Sequence, residues 1–193
     1  MRTIEPKGLE PMKSLDELYR PLLEAVSFAA RAHHGQMRKD GKTPYASHVF
    51  RVCLIVRHVF DIDDPAMLTA ALLHDTIEDT TTDFDDLERK FGSDVAQWVG
   101  CLSEDKRLQQ DVREEEYCAG LAAAPWQVKV SKLADVFDNT LDSRHLSPEQ
   151  RRRSINNGRR YMQALKAPDL PEKVRNAFAL VTRLLDETER SLP

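Results

Sequence analysis

Apolar residues recur through most of the chain at intervals of three and four, the spacing that gathers them on one face of an α-helix. The first stretch predicts a helix over about 15–34, begun by the capping box of Ser14 and Glu17 and with Leu22, Leu23 and Val26 on its core face. Later helices are predicted to begin after Pro44 and then at Asp64-Pro65, Asp83, Ser93, Pro125, Pro148 and Pro171. Alternating strand patterns, hairpin dipeptides and fixed-period repeats do not occur. The chain is therefore predicted to fold as an all-α bundle of about nine helices.

Length and composition describe one globular domain of 193 residues, 41% hydrophobic and 31% charged. We expect residues 1–14 to form a flexible N-terminal arm and residues 15–193 to form the domain. No apolar run approaches the roughly 20 residues of a membrane span. A net charge of −4 argues against a protein that coats nucleic acid or an anionic membrane. Three cysteines without C-x-x-C spacing suit a reducing compartment, so the cytoplasm is the predicted location.

Ionisable residues interrupt three of the apolar helices. His48 lies in the second predicted helix, the pair His74-Asp75 ends the third, and Asp135 lies in the helix that follows Pro125. A single histidine on a helix is more often a core residue with a satisfied hydrogen bond. Two imidazoles and two carboxylates together make a nitrogen and oxygen donor set that suits a divalent transition metal and leaves positions for water and substrate. The combination predicts a catalytic metal site.

Two further carboxylates, Glu78 and Asp79, follow His74 and Asp75 at a spacing of four. If the third helix continues for another turn, both acids project near the metal, where a carboxylate can orient or deprotonate water. The alternative interpretation is an acidic helix end that only contacts solvent.

Basic and amide residues flank the same motifs. Arg38 and Lys39 lie in the turn before His48, where cations beside a metal suit a polyphosphate ligand. An ordinary charged loop is the alternative. Asn139 lies one turn after Asp135, so its amide is expected in the same cavity. The arginine cluster 151–153 is interpreted as mostly a solvated helix face, because an apolar stripe runs through it.

These motifs occur in an order that resembles a known family. The matching strings are Arg38-Lys39-x-Gly41-x-x-Pro44-Tyr45-x-x-His48, then Ala71-Leu72-Leu73-His74-Asp75-Thr76-Ile77-Glu78-Asp79-Thr80, then Phe91-Gly92, then Lys132-Leu133-Ala134-Asp135-x-x-x-Asn139. Over about residues 25–142 the chain resembles the HD hydrolase domain of the RelA/SpoT proteins, and especially the stand-alone small alarmone hydrolases of the metazoan SpoT homologue group. The resemblance implies a single helical HD domain.

The resemblance also implies roles and a reaction. By that likeness, His48, His74, Asp75 and Asp135 hold manganese (Mn²⁺), Glu78 and Asp79 act on the hydrolytic water, Arg38 and Lys39 contact the nucleotide, and Asn139 contacts its ribose. The implied substrates are (p)ppGpp and/or (p)ppApp. Removal of the 3′-pyrophosphate yields GDP or GTP, or ADP or ATP, plus pyrophosphate.

Two other functions stay open at the level of sequence. One is an HD-domain phosphohydrolase of another phosphorylated nucleotide, such as a nucleotidase or an NADPH phosphatase, because the metal donors alone do not define the leaving group. The other is a catalytically silent nucleotide-binding module, against which the intact metal and acid set counts. Val49 and Leu141 stand where the family often has Pro and Arg, so the base or ribose side is expected to differ.

Overall fold

The computed structural model describes residues 14–192. Within that range the chain forms ten α-helices, nine of them with eight or more residues, and no strand longer than an isolated bridge between Met37 and Pro44. The helices are α1 Leu15–Ala32, α2 Ala46–Leu54, α3 Pro65–Leu73, α4 Thr76–Asp79, α5 Phe84–Phe91, α6 Ser93–Leu102, α7 Gln110–Ala123, α8 Trp126–Asp142, α9 Pro148–Ala164 and α10 Glu172–Arg190. The predicted all-α bundle is confirmed. The predicted N-terminal arm, apart from Ser14, lies outside the described residues.

Local capping explains where the helices begin. Ser14 and Glu17 form the predicted capping box, with Glu17 N–H donating to Ser14 Oγ at 3.1 Å and Ser14 N–H donating to Glu17 Oε2 at 2.8 Å. The side chain of Asp64 accepts from Met67 N–H at 3.0 Å, and that of Asp83 accepts from Asp86 N–H at 2.8 Å. Each of these caps satisfies an amide that has no partner within its own helix.

The core surrounds α8, whose 17 residues include ten that are buried. This helix packs against α2, α3, α6, α9 and α10. Helix α3 is also enclosed, with seven of its nine residues buried, because α1, α2 and α6 cover it. The three helices predicted to carry the ionisable cluster are therefore mutual neighbours.

The predicted core face of α1 is partly wrong. Leu23 is 67% exposed and Val26 is 37% exposed, whereas Ala25 and Ala29 are fully buried. Helix α1 lies on α3, and the two alanines let the helices approach closely. Large apolar residues on the flank of this contact consequently remain in solvent.

None of the helices between residues 14 and 192 is both long enough and apolar enough to cross a membrane.

Candidate metal centre and active site

Three helices bring the predicted donor residues to one buried point. His48 lies in the first turn of α2, His74 and Asp75 follow the end of α3, and Asp135 lies in the middle of α8. His48 Nε2 is 3.2 Å from Asp135 Oδ1 and 3.5 Å from Asp75 Oδ2. His74 Nε2 is 3.0 Å from Asp75 Oδ2 and 3.9 Å from Asp135 Oδ1. Four residues separated by up to 87 positions in the chain thus converge.

The donor atoms fit a divalent cation. Ala71 C=O lies 2.9 Å from His74 Nδ1, and because a carbonyl only accepts, the proton must be on Nδ1. In the neutral ring, His74 Nε2 is then a buried lone pair without a hydrogen-bond partner, facing a carboxylate oxygen. Ligand atoms of His48, His74 and Asp135 all lie within 4.8 Å of one another. A cation between these acceptors removes their mutual repulsion, and the mixed nitrogen and oxygen set suits a transition metal.

The electrostatics of the cluster favour positive charge. Burial lowers the pKa of His48, but hydrogen bonds with Asp135, Asp138 and Asp75 outweigh burial and raise the pKa to about 10. Burial raises the pKa of both Asp75 and Asp135, but the two histidines outweigh burial at Asp75, and Lys132 together with the histidines outweighs it at Asp135. The two carboxylates therefore remain ionised inside the protein.

A second carboxylate on α8 orients His48. Asp138, which is buried, accepts a hydrogen bond from His48 Nδ1 at 2.6 Å. Nδ1 therefore carries a proton, and Nε2 faces the other candidate metal ligands. Arg51 donates to both oxygens of Asp138, at 2.6 and 2.9 Å. Asp138 was not among the predicted site residues. Its spacing of three from Asp135, and that of Arg51 from His48, are sequence signals that could have indicated it.

Asp138→Ala is expected to weaken metal binding by about 10- to 100-fold, because His48 loses the partner that selects its tautomer and orientation. Isothermal titration of the metal-free protein with Mn²⁺ measures this affinity. Asp142→Ala is the matched control: Asp142 lies one turn further along α8, accepts a hydrogen bond from Arg38 and forms an ion pair with Arg51 at 3.4 Å, but has no recorded bond to the imidazole. Equal affinity in the Asp138 variant and the parent would contradict the assignment.

The two predicted catalytic acids lie beside the cluster, although α3 does not continue into them. Helix α3 ends at Leu73, since the side chains of His74 and Thr76 bond to the carbonyls of Ala71 and Leu73 at its C-terminus. The one-turn helix α4 then presents Glu78 and Asp79.

Each acid has specific partners. Glu78 Oε2 accepts from Glu104 N–H at 3.1 Å, and burial raises the pKa of Glu78. Asp79 Oδ1 accepts from Lys106 Nζ at 2.5 Å. Tyr45 Oη donates to Asp75 Oδ2 at 2.6 Å and lies 3.4 Å from Asp79 Oδ2. Tyr45 therefore links the metal cluster to the neighbouring acid.

A cavity of about 390 Å³ opens onto these groups, within the size range of small-molecule sites. Its lining is mostly polar, and α9 contributes Gln150, Arg153, Ser154, Asn157, Gly158 and Tyr161. Asp75, Glu78, Asp79 and Asp135 all face this space. The arrangement places a candidate metal site, two acids and a polar cavity together.

The predicted substrate-binding residues differ in how they reach the cavity. Lys39 is exposed and lines it directly. The side chain of Arg38 is only 8% exposed and donates to Asn139 Oδ1 and Asp142 Oδ2, both at 2.9 Å. Asn139 lines the cavity and donates through Nδ2 to Asp135 Oδ1 at 2.5 Å. Arg38 thus acts on the cavity mainly through Asn139.

Two cationic residues of the site were missed by the sequence analysis. Lys132 is enclosed beside Asp135, bonds to its Oδ2 at 2.9 Å and lies 4.3 Å from the ring centre of Tyr161. Arg153, interpreted as part of a solvated face, lines the cavity although its side chain is 77% exposed. The position of Lys132 inside the apolar run of α8 was a sequence signal that could have indicated a buried, functional lysine. Nothing local distinguishes Arg153 from its neighbours.

An all-α fold with histidine and aspartate metal-donor candidates at its centre is typical of metal-dependent HD-domain proteins. The family model described as HD domain matches residues 25–160, and the chain belongs to this family.

Within the HD-domain family, the chain is similar to several named hydrolases. The chain is 42% identical over 129 residues to guanosine-3′,5′-bis(diphosphate) 3′-pyrophosphohydrolase MESH1 of Danio rerio, an alignment that covers 66% of this chain and 72% of that protein. It is 35% identical over 157 residues to the bifunctional (p)ppGpp synthase/hydrolase SpoT of Escherichia coli, covering 75% of this chain and 22% of SpoT. A solved structure of a metazoan SpoT orthologue that hydrolyses ppGpp superposes with a TM-score of 0.75 at 30% identity, covering 90% of this chain and 97% of that one. The predicted resemblance is confirmed.

Proposed function

We propose that this protein is a metal-dependent hydrolase that removes the 3′-pyrophosphate from alarmone nucleotides, (p)ppGpp and/or (p)ppApp. The observation that carries the proposal is the convergence of a buried His-Asp cluster and two acids, Glu78 and Asp79, on one polar cavity. The relatives named as guanosine-3′,5′-bis(diphosphate) 3′-pyrophosphohydrolases support guanosine nucleotides as the substrate class.

The residues His48, His74, Asp75 and Asp135 are proposed to hold Mn²⁺. When bound, this ion supplies a Lewis acid that lowers the pKa of a water molecule and offsets negative charge on phosphate. Zinc usually binds imidazole and carboxylate donors more tightly than manganese does, so the proposal of manganese rests on coordination geometry and metal supply, not on affinity.

The protein's own groups are proposed to provide orientation and proton transfer. Glu78 and Asp79 border the cavity beside the donor cluster, where a carboxylate can accept a proton from the attacking water. The ammonium of Lys39 faces the cavity and attracts phosphate oxygens. Asn139, held by Arg38, presents its amide near Asp135 for a ribose hydroxyl. The water oxygen would bond to the phosphorus that carries the ribose 3′-oxygen, the P–O3′ bond would break, and a proton would return to O3′, giving pyrophosphate and the 3′-hydroxyl.

The cellular setting and domain extent are part of the same proposal. Cys53, Cys101 and Cys118 are all free thiols, which suits a reducing cytoplasm. Residues 15–193 are proposed to act as one catalytic domain.

With Mn²⁺, the purified protein is expected to convert ppGpp to GDP and pyrophosphate, with products resolved by anion exchange. A panel of ppGpp, pppGpp, ppApp, NADPH and a nucleoside 5′-monophosphate separates the alarmone reaction from that of a general nucleotide phosphohydrolase. Removal of metal with a chelator is the control and should stop turnover. Release of orthophosphate alone, or the absence of turnover across the panel, would contradict the proposal.

A further inference from the structure

Helix α4 presents both proposed catalytic acids but is only four residues long. An isolated helical turn is unstable, because few hydrogen bonds offset the entropy of ordering it. Its last carbonyls also have no helical partners. Two side chains from distant loops provide them: Lys106 Nζ donates to Glu78 C=O at 3.0 Å, and Gln36 Nε2 donates to Asp79 C=O at 2.7 Å.

Gln36, in the loop between α1 and α2, is itself held in one orientation. Its Oε1 lies 2.8 Å from Nδ1 of His33, a residue that is only 2% exposed. His33 Nε2 is buried without a hydrogen-bond partner, so the ring makes its one recorded polar bond through Nδ1. Gln36 Oε1 therefore accepts from His33, and its amide group is left to face Asp79.

Lys106 lies in the loop of residues 103–109, between α6 and α7, and contacts both acids. Besides Glu78 C=O, its Nζ contacts Asp79 Oδ1 at 2.5 Å and Glu78 Oε1 at 3.7 Å. The next residue, Arg107, pairs with Asp105 in its own loop, and its side chain is 90% exposed. Of these two adjacent cationic residues, Lys106 therefore contacts α4, whereas Arg107 pairs within its own loop.

We propose that Gln36 and Lys106 are positioning residues that cap α4 from two loops and so hold Glu78 and Asp79 at the cavity. This inference rests on the proposed function, in which those acids act on the hydrolytic water. Neither side chain is among the described residues that line the cavity, so neither is expected to bind substrate. Displacement of a catalytic group by about 1 Å can reduce a rate by about 100-fold.

Gln36→Met and Lys106→Met remove the two donors while keeping side chains of similar length. Each variant is expected to lose about 10- to 100-fold in kcat, with KM within about twofold of the parent and Mn²⁺ affinity unchanged. Gln110→Met and Arg107→Met are matched controls, since the polar bonds recorded for these side chains within residues 14–192 go to Glu114 and Asp105 and not to α4. Both controls should keep the parental kcat.

Amide hydrogen exchange gives a readout that needs no activity. Residues 76–80, whose amides include Asp79 N–H and Thr80 N–H bonded to Asp75 C=O and Thr76 C=O, should exchange faster in both variants and at the parental rate in the controls.

Parental exchange together with parental kcat in either variant would refute the role of that residue. A raised KM with unchanged kcat in Lys106→Met would instead make the lysine a substrate ligand and overturn its positioning role. If the parent protein does not hydrolyse the nucleotide panel, the proposed function fails, and the exchange rates still decide whether the two residues cap α4.

Discussion

Replacement of His74 or Asp135 by alanine is expected to abolish metal binding and hydrolysis together. Each substitution removes a donor from a cluster whose ligand atoms lie within 4.8 Å of one another. In His74→Ala the lost atom is the buried Nε2 that has no other partner. A catalytic metal supplies several kcal/mol of transition-state stabilisation, so its loss should reduce kcat/KM by about 10³-fold or more.

Metal analysis after dialysis and titration with Mn²⁺ measure occupancy, and the nucleotide assay measures kcat/KM. His34→Ala is the matched control, because this histidine is exposed and lies outside the cluster. Circular dichroism checks folding, and Asp135→Asn replaces the alanine variant if the latter does not fold. Full metal occupancy in both ligand variants would show that the metal centre lies elsewhere.

Glu78→Gln and Asp79→Asn are expected to keep the metal and the substrate but to lower kcat by about 10² to 10⁴ in at least one variant. Both substitutions preserve shape while they remove charge and basicity. Burial raises the pKa of Glu78, which makes that carboxylate a stronger proton acceptor than an exposed one. Asp79 is paired with Lys106 and lies close to Tyr45, a setting that favours a role in orientation.

Comparison of kcat, KM and Mn²⁺ content separates chemistry from binding. Asp85→Asn on the exposed side of α5 serves as the control for loss of one surface charge. Near-parental kcat in both acid variants would mean that the pair only faces solvent at a helix end. The proton would then pass to solvent rather than to a side chain.

The sequence by itself determined most of the helical elements, because the signals that define them are local, but it did not predict α7 or the break between α3 and α4. Capping by Ser14, Asp64 and Asp83 depends on residues three positions away, and each predicted start coincides with an observed one. The sequence also indicated which residues are candidate metal donors. Imidazole and carboxylate groups inside apolar helices are costly unless something compensates them, so His48 and Asp135 stood out from exposed polar residues.

Only the tertiary structure decided which of these residues meet and which side chains support them. The hydrogen bond from Gln36 to Asp79 spans 43 residues and that from Arg38 to Asn139 spans 101. Neither bond produces a periodic pattern in the sequence from which it could be predicted. The exposure of Leu23 followed from how α3 lies on α1, not from its own hydrophobicity. Helix periodicity records which face of an element is apolar. The partners of a polar side chain depend on how the helices pack, and that packing is a property of the whole core.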